Sequence, residues 1–213
     1  MIPIMKKLIL SLALGLLCVA GSCSRTENPY YFDGSVSQAV LERYLARAVT
    51  MSEFLTVDPY CNDGTYPDKA ADVAFIRNTG AKFIGRAIYR WGDEKVLTEP
   101  GFWAGAEALV GEVHAFDPDV IFQAAAFEAV YRDVNEVPVP AWAFEALGLP
   151  VEERNFDYSQ MLSPDGKYVD LWGPGGSVPD ITRVETQLWL MYLIGSYVDI
   201  GVEAVHLGQV YLM

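Results

Sequence analysis

Cysteine, histidine and positive charge are all scarce in this chain. Three cysteines and two histidines in 213 residues leave no His/Cys cluster of zinc-ligand spacing, so no metal is expected. Cys18, Cys23 and Cys61 cannot build a disulfide framework, and stability must come from the core. Fifteen Lys and Arg against 28 Asp and Glu give a formal net charge of −13. No basic stripe tracks a phosphate backbone, which argues against nucleic acid, and the acidic balance disfavours docking on bare anionic lipid. No Ser-His-Asp arrangement stands out. The Gly-rich stretch Gly173-Pro174-Gly175-Gly176-Ser177 lacks the Lys-Ser/Thr ending of a nucleotide loop and reads as a turn. Asp58, Asn62, Asp63 and Asp68 surround Gly64 without EF-hand spacing. No cofactor is expected, and nothing in the pattern specifies an oligomer.

Apolar residues are plentiful: 52% of the chain is hydrophobic and 13% aromatic. That is ample for one core and short for two domains. The first residues read as an address. Lys6 and Lys7 precede an apolar run, Leu8 to Val19, which is shorter than the roughly 20 residues needed to span a bilayer. Small residues follow. Val19-Ala20-Gly21-Ser22-Cys23 resembles the cleavage site of bacterial lipoprotein signals, which implies removal of residues 1–22 and lipidation of Cys23. An ordinary secretory signal cut nearby is the alternative. Residues 23–34 are polar and turn-rich and suit a tether, leaving 35–213 as a single α/β domain held at the cell envelope by its lipid.

Hydrophobic spacing predicts the elements of that domain. A helix capped by Ser35 runs to Val49. A second helix runs from about Asp68 to Asn78 and stops at Gly80, and a third spans Phe102 to Phe116. Ala81–Trp91 and Val120–Tyr131 read as buried strands. Pro140–Leu147 is a short helix, and 152–177 an irregular stretch. The final helix, capped by Ser177 with Asp180, is ended by Gly201, and Val202–Leu212 reads as a third strand. Strands separated by helices run parallel. Three such strands imply a partial, truncated TIM-type (β/α) barrel, or a small open parallel sheet flanked by helices.

Ligands of such folds sit beyond the carboxyl ends of the strands. Tyr89, Arg90, Trp91, Glu128, Tyr131, His206 and Gln209 are therefore the candidates, and Trp172 in its Gly-rich loop is the aromatic best placed to be exposed. Glu128, if buried, is expected to pair with Arg86 or Arg90, and Gly208 to leave room beside His206. The segments ending in Tyr89-Arg90-Trp91-Gly92, Phe127-Glu128 and His206-Leu207-Gly208-Gln209 resemble strand ends of glycoside-hydrolase-like (β/α) barrels, over roughly residues 70–213. That resemblance implies a carbohydrate ligand, with Glu128 and His206 in catalytic positions. Tyr89, Arg90, Trp91, Gln209 and Trp172 would then hold the sugar. Such enzymes use two carboxyl groups, and no second acid stands at a strand end, since Glu203 lies near the start of its strand. A non-catalytic lipoprotein binding a glycan or a protein through the same surface is the alternative.

Overall fold

The computed structural model describes residues 28–62 and 68–213. The signal segment 1–22, Cys23, the first part of the tether, and Asp63 and Gly64 of the acidic loop lie outside these residues. In chain order the elements are α1 (Gln38–Leu45), β1 (Ala48–Thr50), α2 (Lys69–Thr79), β2 (Phe83–Tyr89), α3 (Pro100–His114) and β3 (Ile121–Ala126). They continue with β4 (Val130–Tyr131), α4 (Ala141–Ala146), α5 (Tyr158–Met161), β5 (Gly176–Ser177), α6 (Val184–Asp199) and β6 (Ala204–Leu207). The main sheet has the order β1-β2-β3-β6, with every pairing parallel. The fold is thus α/β, an open four-stranded parallel sheet flanked by helices, and β4 and β5 form a separate antiparallel pair.

Neighbouring strands follow one another in one direction across the sheet. Right-handed crossovers then place α2, α3 and α6 on the same face. The core lies between that helix layer and the sheet. Val73 and Ile76 of α2, Phe102, Ala106 and Val110 of α3, and Leu188, Trp189 and Leu193 of α6 pack with Ile84, Ile88, Phe122, Ala124 and Ala126. Each large side chain so buried contributes about 1.5–3 kcal/mol. Tyr89 and Ala125 are also buried, yet by alternation they point to the opposite face, in register with each other and with His206.

Local chemistry sets the helix ends. Asp68 caps α2 through the Ala71 N–H, and Gly80 closes it at φ +63°, where a side chain is disfavoured. Ser37, two residues past the expected cap, caps α1 by accepting from the Val40 N–H. The helix ends at Leu45, because Ala48–Thr50 pairs with β2 instead of extending it. Ser177 does not cap α6. Its hydroxyl is shared between the Tyr158 hydroxyl and the Asp170 N–H, and α6 starts after Arg183. The last strand covers only Ala204–Leu207 and turns into a short 3-10 segment, Val210–Leu212. Within the expected tether, Asn28 bonds Asp119 at 2.7 Å and the Tyr30 ring lies 5.1 Å from Tyr44, so this part is docked on the domain.

β2 carries an irregularity that matters for the site. Four steps from Ile84 to Ile88 match two steps from Phe122 to Ala124 on β3, so β2 holds two extra residues. Arg86, in the middle, has φ +56°. The carbonyls of Gly85, Arg86 and Ala87 are taken by the N–H groups of Met51, Glu53 and Leu55, which satisfies the bulged backbone. Such a bulge re-aims a side chain, and here it sends Arg86 to the face away from the helices.

Candidate functional site

Aromatic rings gather where β2 and β3 end. Phe127, the first residue past β3, is the hub: its ring centre lies 5.4 Å from Tyr89, 5.1 Å from Trp91 and 6.2 Å from His206. Trp172 meets Trp91 at 5.2 Å and 66°. The Tyr89, Trp91 and Trp172 contacts are edge-to-face, the favoured geometry for quadrupolar rings. Asn62, Arg86, Tyr89, Trp91 and Phe127 line a cleft of about 270 Å³. That is a little under the roughly 300–1,000 Å³ of common small-molecule sites, and suits a compact ligand.

Trp91 is held from several sides. The Asn62 side chain behaves like a neighbouring strand, accepting from the Trp91 N–H at 3.0 Å and donating to its carbonyl at 3.2 Å. The Trp91 indole N–H donates to the Tyr131 hydroxyl at 3.0 Å, and that hydroxyl donates to the Trp172 carbonyl at 3.3 Å. A Cβ at Gly176 would collide with the Tyr131 ring, so glycine there makes space for this clasp. Behind it, the Tyr131 N–H donates to Glu94 Oε1 at 2.9 Å. Glu94 is 2% exposed, and its Oε2 has no partner. Burial pushes its carboxyl up to about 7, while the backbone bonds and the Arg90 charge pull the other way.

Tyr89, Trp91 and His206 come together at this end of the sheet, and the Gly-rich loop brings Trp172 onto Trp91. Glu128, Gln209 and Arg90 are placed differently. Glu128 is buried, and Gln209 takes both its oxygens: the backbone N–H bonds Oε2 and the side-chain Nε2 bonds Oε1, each at 2.8 Å. The expected arginine partner is therefore replaced by a glutamine. The space at Gly208 is filled as well, since a Cβ there would collide with Glu128 Oε2. Arg90 is buried and turns toward the helix layer. It donates to the carbonyls of Tyr60 at 2.6 Å and Gly92 at 3.3 Å, 5.9 Å from the Phe102 ring centre. Glu203 sits at the opposite end of the sheet, where its Oε2 accepts from the Phe122 N–H.

Three contributors carry little local signal. Phe127 could have been placed by alternation from Ala125. Asn62 acts through a 29-residue separation, and the bulge that aims Arg86 appears only in the pairing register. The Gly-rich loop supplies its own anion, because Asp170 Oδ1 accepts from the Gly175 N–H at 2.7 Å. Among the described residues no group of three His, Cys, Asp or Glu converges. A larger depression of about 530 Å³ lies over Arg154, Asp157, Gln160, Arg183 and Glu185. Its polar groups already have partners, Arg154 on Glu185 and Arg183 on the two neutral oxygens of Gln160, so the smaller aromatic cleft is the better candidate. No protein-family model, curated protein or solved structure matches this chain.

Proposed function

We propose that this chain is a lipid-anchored carbohydrate-binding protein of the cell envelope, with a sugar ring seated against Trp91 and Phe127 at the strand mouth. One observation carries the reading: Tyr89, Trp91, Phe127 and Trp172 gather at the carboxyl ends of parallel strands, where open α/β sheets hold ligands. A sugar ring has apolar C–H faces and a polar rim. Aromatic walls with a few polar groups at their edge complement both.

Binding is better supported than turnover. Glycoside hydrolysis uses two carboxyl groups about 5–9.5 Å apart across the scissile bond. Among the described residues no carboxylate lines the cleft, and the nearby Glu128 has both oxygens bonded to Gln209. The anchor rests on the leader pattern Val19-Ala20-Gly21-Ser22-Cys23. Among the described residues no helix is long and apolar enough to cross a membrane.

Calorimetric titration of the detergent-solubilised full chain with a panel of oligosaccharides tests this. Trp91→Ala is expected to weaken binding about tenfold, equivalent to about 1.4 kcal/mol. Trp142→Ala, altering a ring packed near Tyr192 on the helix layer, should leave affinity unchanged. Absence of binding to every sugar, or equal affinity in Trp91→Ala, would remove the proposal.

A further inference from the structure

We infer that the cleft selects an anionic saccharide, one carrying a carboxylate that pairs with Arg86. This rests on the sugar-binding reading and narrows its ligand. Among the described residues the cleft holds one charged side chain, and it is cationic. In a chain with 28 acids and 15 bases, a guanidinium has many possible partners. Arg86 nonetheless forms no ion pair among the described residues, and its Nε is buried without a hydrogen-bond partner. Arg90, four residues on, also has a buried, partnerless Nε, but its terminal nitrogens are taken by two carbonyls and one lies 4.0 Å from Asp93.

The geometry around Arg86 is pre-set. Its backbone sits at φ +56° inside the β2 bulge, a conformation that costs a non-glycine residue free energy and is kept where surrounding structure imposes it. Its Cζ lies 5.1 Å from the centre of the Phe127 ring, so the cation rests on an aromatic face that also walls the cleft. A guanidinium held in this way, with Nε turned inward, keeps its two terminal Nη groups for a carboxylate, which it binds through two parallel N–H···O bonds. The Asn62 amide is spent on the Trp91 backbone, which leaves Arg86 as the cleft's cationic donor. A sugar acid thus meets both features at once: ring against Trp91 and Phe127, carboxylate against Arg86.

The test is the full chain, detergent-solubilised, on immobilised oligosaccharides in three sets: neutral, uronic-acid-containing and sialylated. Binding is expected on acidic sets and at least tenfold weaker on neutral ones. Arg86→Gln should lose at least tenfold affinity for the acidic sugars, Arg86→Lys should retain part of it, and both should melt within a few degrees of the unaltered protein. Raised salt should weaken the acidic binding. Equal binding to neutral sugars, or full affinity in a folded Arg86→Gln, overturns the anionic preference and leaves the aromatic site standing. Silence on all three sets overturns both.

Discussion

Gln209 closes over Glu128, with its backbone N–H on one carboxylate oxygen and its side-chain amide on the other, each at 2.8 Å. The pair joins the segment after β3 to the segment after β6, 81 residues apart in sequence. Glu128 is 1% exposed, so its charge is compensated by these donors rather than by water.

Removing that carboxylate is expected to cost stability. Glu128→Ala strands two donors on Gln209, and unfolding in urea should show a loss of about 1–3 kcal/mol. Glu128→Gln presents one acceptor instead of two and should lose part of that amount. Unchanged midpoints in both variants would show that the clasp contributes nothing net.

The Tyr131 clasp should be sensitive to one added methyl group. Gly176→Ala sets a Cβ against the Tyr131 ring, and overpacking of this kind costs about 1–3 kcal/mol. For a domain of this size that lowers the melting temperature by roughly 2–4 °C per kcal/mol. Because Tyr131 also bonds Trp91 and the Trp172 backbone, tryptophan fluorescence should shift in the same variant. A normal melt with an unshifted spectrum would contradict the packing described.

Glu94 should give stability a specific pH dependence. Its folded carboxyl titrates near 7, above the ordinary 4.5, with burial the main cause. Between those values the native state keeps a proton that the unfolded chain has released, so stability falls as pH rises through the window and levels off above it. The slope is bounded at about 1.4 kcal/mol per pH unit. Glu94→Gln keeps an acceptor for the Tyr131 N–H without the titration. Its stability relative to the unaltered protein should therefore improve from pH 5 to pH 8 in urea melts. Parallel profiles would contradict the assignment.

At the start of α6, Arg154 makes a two-pronged bond to Glu185, each arm 2.8 Å, and Glu185 is 7% exposed. Arg154→Ala leaves that carboxylate buried without its cation and is expected to cost about 1.5–3 kcal/mol. Glu152 also bonds Arg154, but its side chain is 60% exposed. Glu152→Ala should cost less than about 1 kcal/mol. Equal losses would show that burial does not distinguish the two pairs.

The lipid anchor has its own test. Cys23→Ser is expected to move the protein out of the membrane fraction, and continued retention there would contradict lipidation at Cys23.

Much of the fold was legible because its signals are local. Apolar spacing, Asp68 and Gly80 placed α2 within a residue or two, and the run Phe83–Tyr89 reads as a buried strand in sequence as in space. β1 was not legible. Ala48 and Val49 continue the apolar stripe of α1, and only pairing with Phe83 and Ile84 makes them a strand. The start of α6 was misread for a related reason: Ser177 is a good cap by type, yet a buried bond to Tyr158 claims it. At the site, the strand-end rule located Tyr89, Trp91 and His206. It could not see the bulge that aims Arg86, nor the turn after β6 that folds Gln209 onto Glu128. Those depend on register and on contacts between distant segments.

The central claim is that a sugar occupies the space beside Trp91 and Phe127. A crystal of the protein soaked at saturating oligosaccharide tests it most directly. The account predicts density for a sugar ring in van der Waals contact with Trp91 and Phe127, with a charged substituent within hydrogen-bond distance of Arg86. A sugar seated elsewhere on the molecule, with this cleft holding only solvent, would contradict it.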